Sequence, residues 1–206
     1  GRVPEDHSLD IARQQSTWDH IQLVGQTASK TLSSTRVDID GIAKGYAIDR
    51  AVEALERNSV AGGMVEVGGD LRVFGLGPEA RHRTVAIRSP IEDRAWAEIE
   101  LAEGAVCSSG DYARFVEIGG RRYSHIIDPR DGRPVEEVRA VTVVGPDAAT
   151  ADAWATALSV LGVDGLALLE ADLHAMIVTG LAGAYRVHVS PGFRELLVRA
   201  AFELED

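Results

Sequence analysis

Between residues 64 and 144 one extended segment follows another, with no helical periodicity to separate them. The candidate strands are residues 64–67, 71–74, 84–87, 95–101, 105–108, 115–118, 121–127 and 138–144, the last a run rich in β-branched residues. A doubly wound parallel sheet needs strand and helix in regular alternation, and this order does not provide it. The fold class expected is therefore α+β, a mixed β-sheet core with a few flanking helices.

Helices are expected on both sides of that run. Residues 42–57 place Ile42, Tyr46, Ile48, Val52 and Leu55 at three- and four-residue steps, with Ala43, Ala47, Ala51 and Ala54 favouring the helix further. Residues 150–161 form an Ala-rich helix. A short helix from Ser8, with that residue as its cap, opens the chain. Strands are expected at 20–24 and 36–40, where Val37 and Ile39 alternate with charged residues, and late strands at 175–179 and 185–189. Residues 193–197 close the chain as a short helix or strand. Pro129-Arg130-Asp131-Gly132 signals a turn. No repeat, low-complexity tract or linker interrupts the 206 residues, which reads as one domain, 1–206.

Composition limits the chemistry. Acidic residues outnumber basic ones 32 to 21, a formal charge of -11, which disfavours a nucleic-acid partner. The same field repels an anionic nucleotide unless a metal ion or local cations intervene. Cys107 is the only cysteine, so an intrachain disulfide is impossible and a thiolate zinc site lacks sulfur. Chemistry rests on oxygen and nitrogen ligands.

Four constellations can carry it. In Asp38-Ile39-Asp40-Gly41-Ile42-Ala43-Lys44 a strand passes through a glycine into a helix, whose N-terminal N–H groups suit a phosphate. Lys44 is a cation in a first turn, unfavourable unless an anion compensates; the alternative is a solvated lysine on a capped helix. Gly62-Gly63 and Gly68-Gly69-Asp70 flank an apolar strand and permit close approach of a ligand, or form two tight turns. The third constellation joins Cys107-Ser108-Ser109-Gly110-Asp111-Tyr112 to Ser124-His125-Ile126-Ile127-Asp128 through a hairpin at Gly119-Gly120. His125 suits acid–base work at neutral pH, although a lone histidine on a strand is more often structural. No Gly-x-Ser-x-Gly elbow supports a serine hydrolase. The fourth places Asp152 and Thr156 one helical turn apart on one face. Their hard oxygens suit Mg²⁺ together with a backbone carbonyl and phosphate oxygens; otherwise Thr156 bonds back to its own helix.

Taken in this order, the segments DIDGIAKGYAIDRA, VEVGGDLRVFG, SSGDYARF with YSHIIDPRDGRPV, and VTVVGPDAATADAWATALSVLG resemble the ApbE-type FAD:protein FMN transferases. The resemblance runs along the whole chain. It implies an ApbE-like (T-fold-related) flavin transferase fold without the N-terminal part that relatives usually carry before the point where this chain begins. It implies attack by a threonine or serine hydroxyl of an acceptor protein on the FMN-side phosphorus of FAD, with AMP released and FMN left as a phosphoester, a flavinylation. Asp152 and Thr156 side chains and the Gly41 carbonyl would bind Mg²⁺. Asp38, Lys44 and the Ile126-Ile127 backbone would contact FAD, with Gly69 and Asp111 shaping the pocket. His125 would be the base for the acceptor hydroxyl. Asp40, where relatives often have a small residue, adds a carboxylate near the metal. An Mg²⁺-dependent FAD pyrophosphatase, or a non-catalytic FAD-binding module, would use the same residues. Relatives are commonly exported and membrane-tethered while others are cytoplasmic. A periplasmic or membrane-anchored address is thus implied, with any tether in an N-terminus upstream of Gly1.

Overall fold

Every strand pairing among the described residues is antiparallel. The computed structural model describes residues 2–75, 82–110, 115–181 and 184–204. The chain begins with α1 (Asp6–Gln15), the hairpin β1 (Ile21–Val24) and β2 (Thr27–Lys30), and α2 (Ala43–Arg57). Strands β3 (Gly63–Val67), β4 (Asp70–Phe74), β5 (Arg83–Arg88), β6 (Ala95–Leu101) and β7 (Gly104–Gly110) follow. Two small hairpins come next, β8 (Phe115–Ile118) with β9 (Arg121–Ser124), and β10 (Ile127–Asp128) with β11 (Arg133–Pro134). The chain ends with β12 (Val138–Gly145), α3 (Ala148–Leu161), β13 (His174–Leu181), β14 (Ala184–Val189), α4 (Pro191–Leu196) and β15 (Leu197–Ala200).

The main sheet has six strands in the order β14-β13-β12-β7-β4-β3, every pairing antiparallel. A second sheet of three, β15-β6-β5, covers one of its faces. Helices α2 and α3 cover the other. The fold is α+β, as the order of elements predicts.

Side-chain alternation decides which face each residue serves. Ala105, Cys107, Val141, Val143, Ala175 and Ile177 point toward the helices, where they meet Ile48, Ala148, Ala151, Ala155 and Leu158. Val106, Ala140, Val144, Met176 and Val178 point the other way, toward Val85, Ile87, Trp96, Ile99 and Phe193. Val141, Val143 and Ile177 are completely buried. Each contributes about 1.5–3 kcal/mol relative to exposure. A sheet buried on both faces explains why β12 reads as a continuous apolar run.

Several local expectations change. Residues 36–40 form no strand. The Asp38 carboxylate accepts a hydrogen bond from the Asp40 N–H at 2.9 Å, a side-chain turn that competes with extended pairing. The expected strand 121–127 divides into β9 and β10, because Ser124 Oγ accepts from the Ile126 N–H at 3.1 Å and turns the chain. The buried stripe of α2 is Gly45, Ile48, Asp49 and Val52, while Tyr46 and Leu55 face outward. Ser8 lies inside α1, and Glu5 occupies the cap position.

Candidate functional site

The amino-terminal halves of α2 and α3 meet on the helical face of the main sheet. They approach so closely at Gly45 that a Cβ there would lie 2.0 Å from the Ala148 carbonyl oxygen. Only glycine fits. Two carboxylates cross this junction in opposite directions. Asp152 on α3 accepts from the Gly45 N–H of α2 at 2.9 Å. Asp49 on α2 accepts from the Ala148 and Ala149 N–H groups of α3 at 3.0 and 2.8 Å. Helix N-termini carry unsatisfied N–H groups and partial positive charge, so each helix is capped by an acid of the other. Asp147 adds a local cap by accepting from the Thr150 N–H at 2.8 Å.

Asp152 is 3% exposed. Its Oδ2 takes the Gly45 bond, and its Oδ1 carries no hydrogen bond from a described residue. That second oxygen is not sealed in: among the described residues the only fully buried side-chain polar atom without a partner is Arg72 Nε. Thr156, one turn further along α3, lies against Gly41, where an added Cβ would meet Thr156 Oγ1 and Cγ2 at 3.2 Å. Ser159 on the same helix donates back to the Ala155 carbonyl at 2.8 Å, whereas Thr156 makes no such bond. Its hydroxyl stays available. The structure thus brings Gly41, Asp152 and Thr156 to one place.

Lys44 joins them. Its ammonium donates to Asp70 Oδ2, and Asp70 Oδ1 accepts from the Ser108 N–H at 2.8 Å. Asp70 is 1% exposed. Burial, the largest influence, disfavours the Lys44 charge, but the hydrogen bond it donates to Asp70 and the charges of Asp70 and Asp152 together outweigh that penalty and raise its pKa. Burial likewise pushes the Asp70 carboxyl up, against the pull of Lys44 and the Ser108 N–H. The anion that compensates a cation in the first turn of α2 is therefore supplied from within the fold, by Asp70. The glycines before it act through conformation: Gly68 and Gly69 have φ of +62° and +95° and turn β3 into β4.

The remaining candidates lie further out. Asp38 is exposed and holds the Asp38–Asp40 turn just ahead of Gly41. Gly69 is exposed, with its N–H donated to Glu66 Oε1 at 2.6 Å. His125 is exposed between β9 and β10. Ile126 is buried and its backbone is engaged within the chain, N–H to Ser124 Oγ and carbonyl from the Val135 N–H at 3.0 Å. Ile127 is 47% exposed and pairs with Pro134. Arg130 ties this hairpin to the end of α3 through the Val160 carbonyl at 2.9 Å. Asp111 falls outside the described residues.

Three residues of the site escaped the sequence reading. Asp70 was legible only as the end of a glycine turn. Asp49, and Arg72 whose Nη1 donates to Asp49 at 2.6 Å, were not singled out. A usable signal existed for Asp49: it sits at the helical spacing of the buried stripe Gly45, Ile48, Val52, and a buried acid needs partners.

As a donor set, the Asp152 carboxylate, the Thr156 hydroxyl and the Gly41 carbonyl are hard oxygens of the kind that hold Mg²⁺ with few protein ligands. Among the described residues no group of three or more histidines, cysteines or acids is placed to hold a metal. No described helix is long and apolar enough to cross a membrane.

The ApbE family model matches residues 1–178. FAD:protein FMN transferase of Vibrio cholerae is 35% identical over 200 residues, covering 95% of this chain and 60% of that protein. The Escherichia coli K12 protein of the same name is 30% identical, covering 96% and 59%. The chain therefore spans about 60% of the length of these relatives. The crystal structure of the Thermotoga maritima ApbE protein superposes with a TM-score of 0.83 at 33% identity, covering 95% of this chain and 64% of that one. The Vibrio cholerae flavin transferase ApbE gives a TM-score of 0.81 at 33% identity.

Proposed function

The chain belongs to the ApbE family, and on that footing we propose that its protein transfers FMN from FAD to a threonine or serine hydroxyl of an acceptor protein, releasing AMP. The observation that carries the proposal is the junction of α2 and α3. There Asp152 accepts from the Gly45 N–H at 2.9 Å, Thr156 abuts Gly41, and Lys44 is held by Asp70. This is a cradle for an anionic dinucleotide in a protein whose overall charge is -11.

The parts divide the work. Asp152, Thr156 and the Gly41 carbonyl would hold Mg²⁺, which would neutralise charge developing on the pyrophosphate. Lys44 donates to a phosphate oxygen from the start of α2, where the helix dipole also favours negative charge. His125, reachable from solvent, takes the proton of the acceptor hydroxyl. A hydroxyl barely ionises at neutral pH, so a positioned base accelerates its attack. Asp38 and the Asp38–Asp40 turn flank the entry on the Gly41 side. Gly69 and the Ile127 backbone would line the nucleotide pocket.

The test is direct. The protein at its full natural length, incubated with FAD, Mg²⁺ and an acceptor domain, is expected to leave a fluorescent flavin band on the acceptor in a denaturing gel. Asp152→Ala is expected to leave none. AMP and free FMN released at equal rate with or without acceptor, and no labelled band, would overturn transfer in favour of hydrolysis.

A further inference from the structure

We propose that Asp70 is a positioning residue that acts on the substrate only through Lys44. The inference rests on the reading above, in which the α2–α3 junction receives a flavin dinucleotide. Four observations carry it.

Asp70 does not touch the open side of the site. It is 1% exposed, while the Lys44 side chain is 38% exposed. Its two oxygens are divided between one fixed donor and one mobile donor. Oδ1 accepts from the backbone N–H of Ser108 on β7, and Oδ2 accepts from the Lys44 ammonium. The backbone that delivers Asp70 is a turn with two positive-φ glycines, Gly68 and Gly69, so the carboxylate enters the site at the first residue of β4. Finally, Ser108 is fixed in turn by Thr142, Oγ to Oγ1 at 2.9 Å, and Thr142 is 2% exposed.

The chemistry follows from the lysine. An ammonium on a four-carbon stem has three donors and high rotamer freedom. One donor spent on Asp70 fixes the head group against the sheet and aims the others outward. Without the carboxylate, the ammonium would swing toward water, and an anionic ligand would have to supply the ordering entropy itself. Asp70 thus prepares Lys44 for the phosphate without meeting it.

The experiment is a double-mutant cycle on the full-length protein, with FAD affinity and the turnover of transfer measured for wild type, Asp70→Asn, Lys44→Met and the double variant. Asn keeps an acceptor for Ser108 but lacks the charge; Met keeps the apolar stem. Asp70→Asn is expected to weaken FAD binding by about tenfold or more, as truncating one member of a buried charge pair does. In the Lys44→Met background the same change is expected to alter affinity by less than about twofold, the scatter of independent sites. Equal losses from Asp70→Asn in both backgrounds would overturn the inference. If Asp70→Asn alone fails to fold, the double variant still decides, because removing both partners of a buried pair is often tolerated. Affinity equal to that of Lys44→Met supports the inference, and a further loss overturns it. Wild-type protein that binds no FAD would overturn the flavin reading itself, a different outcome from unchanged additivity in a protein that binds.

Discussion

Asp152 and Gly45 are 107 residues apart in the chain, yet the carboxylate of one accepts from the N–H of the other at 2.9 Å. Asp49 returns the interaction by accepting from Ala148 and Ala149 at the start of α3. The two helices that carry the candidate ligands are therefore locked by the same kind of contact in both directions. A shift of either helix would disturb Gly41, Lys44, Asp152 and Thr156 together.

Gly45→Ala tests the close approach of the helices. A Cβ placed 2.0 Å from the Ala148 carbonyl must push α2 from α3. The expected cost is about 3 kcal/mol, the upper part of the range for overpacking. Urea unfolding measures it, and a variant as stable as wild type would show that the helices part freely.

Thr156→Val separates stability from chemistry. Thr156 makes no hydrogen bond back to α3, and valine matches its shape, so stability should change by less than about 0.5 kcal/mol. Turnover and Mg²⁺ affinity should fall at least about tenfold, the lower edge of what even a metal's outer-shell partners cost when removed. Full activity with valine would remove the hydroxyl from the ligand set.

His125→Ala tests the proposed base. The side chain is exposed, so FAD affinity and the melting temperature should be little changed. The rate of transfer to the acceptor should fall by roughly a hundredfold to ten-thousandfold, the usual contribution of a general base. Single-turnover labelling with saturating FAD reads the loss. An unchanged rate would assign the proton to another group.

Cys107 is expected to make the fold sensitive to alkali. Burial pushes its thiol well above the ordinary value of 9.0, helped by the nearby Asp70 and Asp152 charges. The sign follows: a group whose folded pKa is raised gives its stability in full below 9.0 and loses it as pH rises, because the unfolded thiol releases its proton first. The slope expected above that value is about 1.4 kcal/mol per pH unit. Urea midpoints at about pH 8 and about pH 10 should differ more in wild type than in Cys107→Ala. The native thiol should also resist a thiol reagent until the protein unfolds.

Composition and periodicity predicted the β12 run, α2, the Ala-rich α3 and most strands of the main sheet: α2 buries one face at helical steps, while β12, buried on both faces, is a continuous apolar run. Periodicity misjudged residues 36–40, where the Val37 and Ile39 alternation yields to the Asp38 side-chain turn. It also widened the apolar face of α2, since Tyr46 and Leu55 share the helix but not the stripe that packs. Of the site, Asp152 and Thr156 were legible as a pair, because a four-residue helical step puts two side chains on one face.

The sequence by itself determined the fold class, the glycine turn that presents Asp70 and the spacing of Asp152 to Thr156, all of which depend on neighbours within a few positions. Only the tertiary structure decided that Lys44 is paired with Asp70, that Asp152 caps α2 at the Gly45 N–H, and that Asp49 closes the start of α3. Those contacts join segments 26 to 107 residues apart. Their existence depends on which faces of the sheet and helices are buried together, and local periodicity carries no information about that.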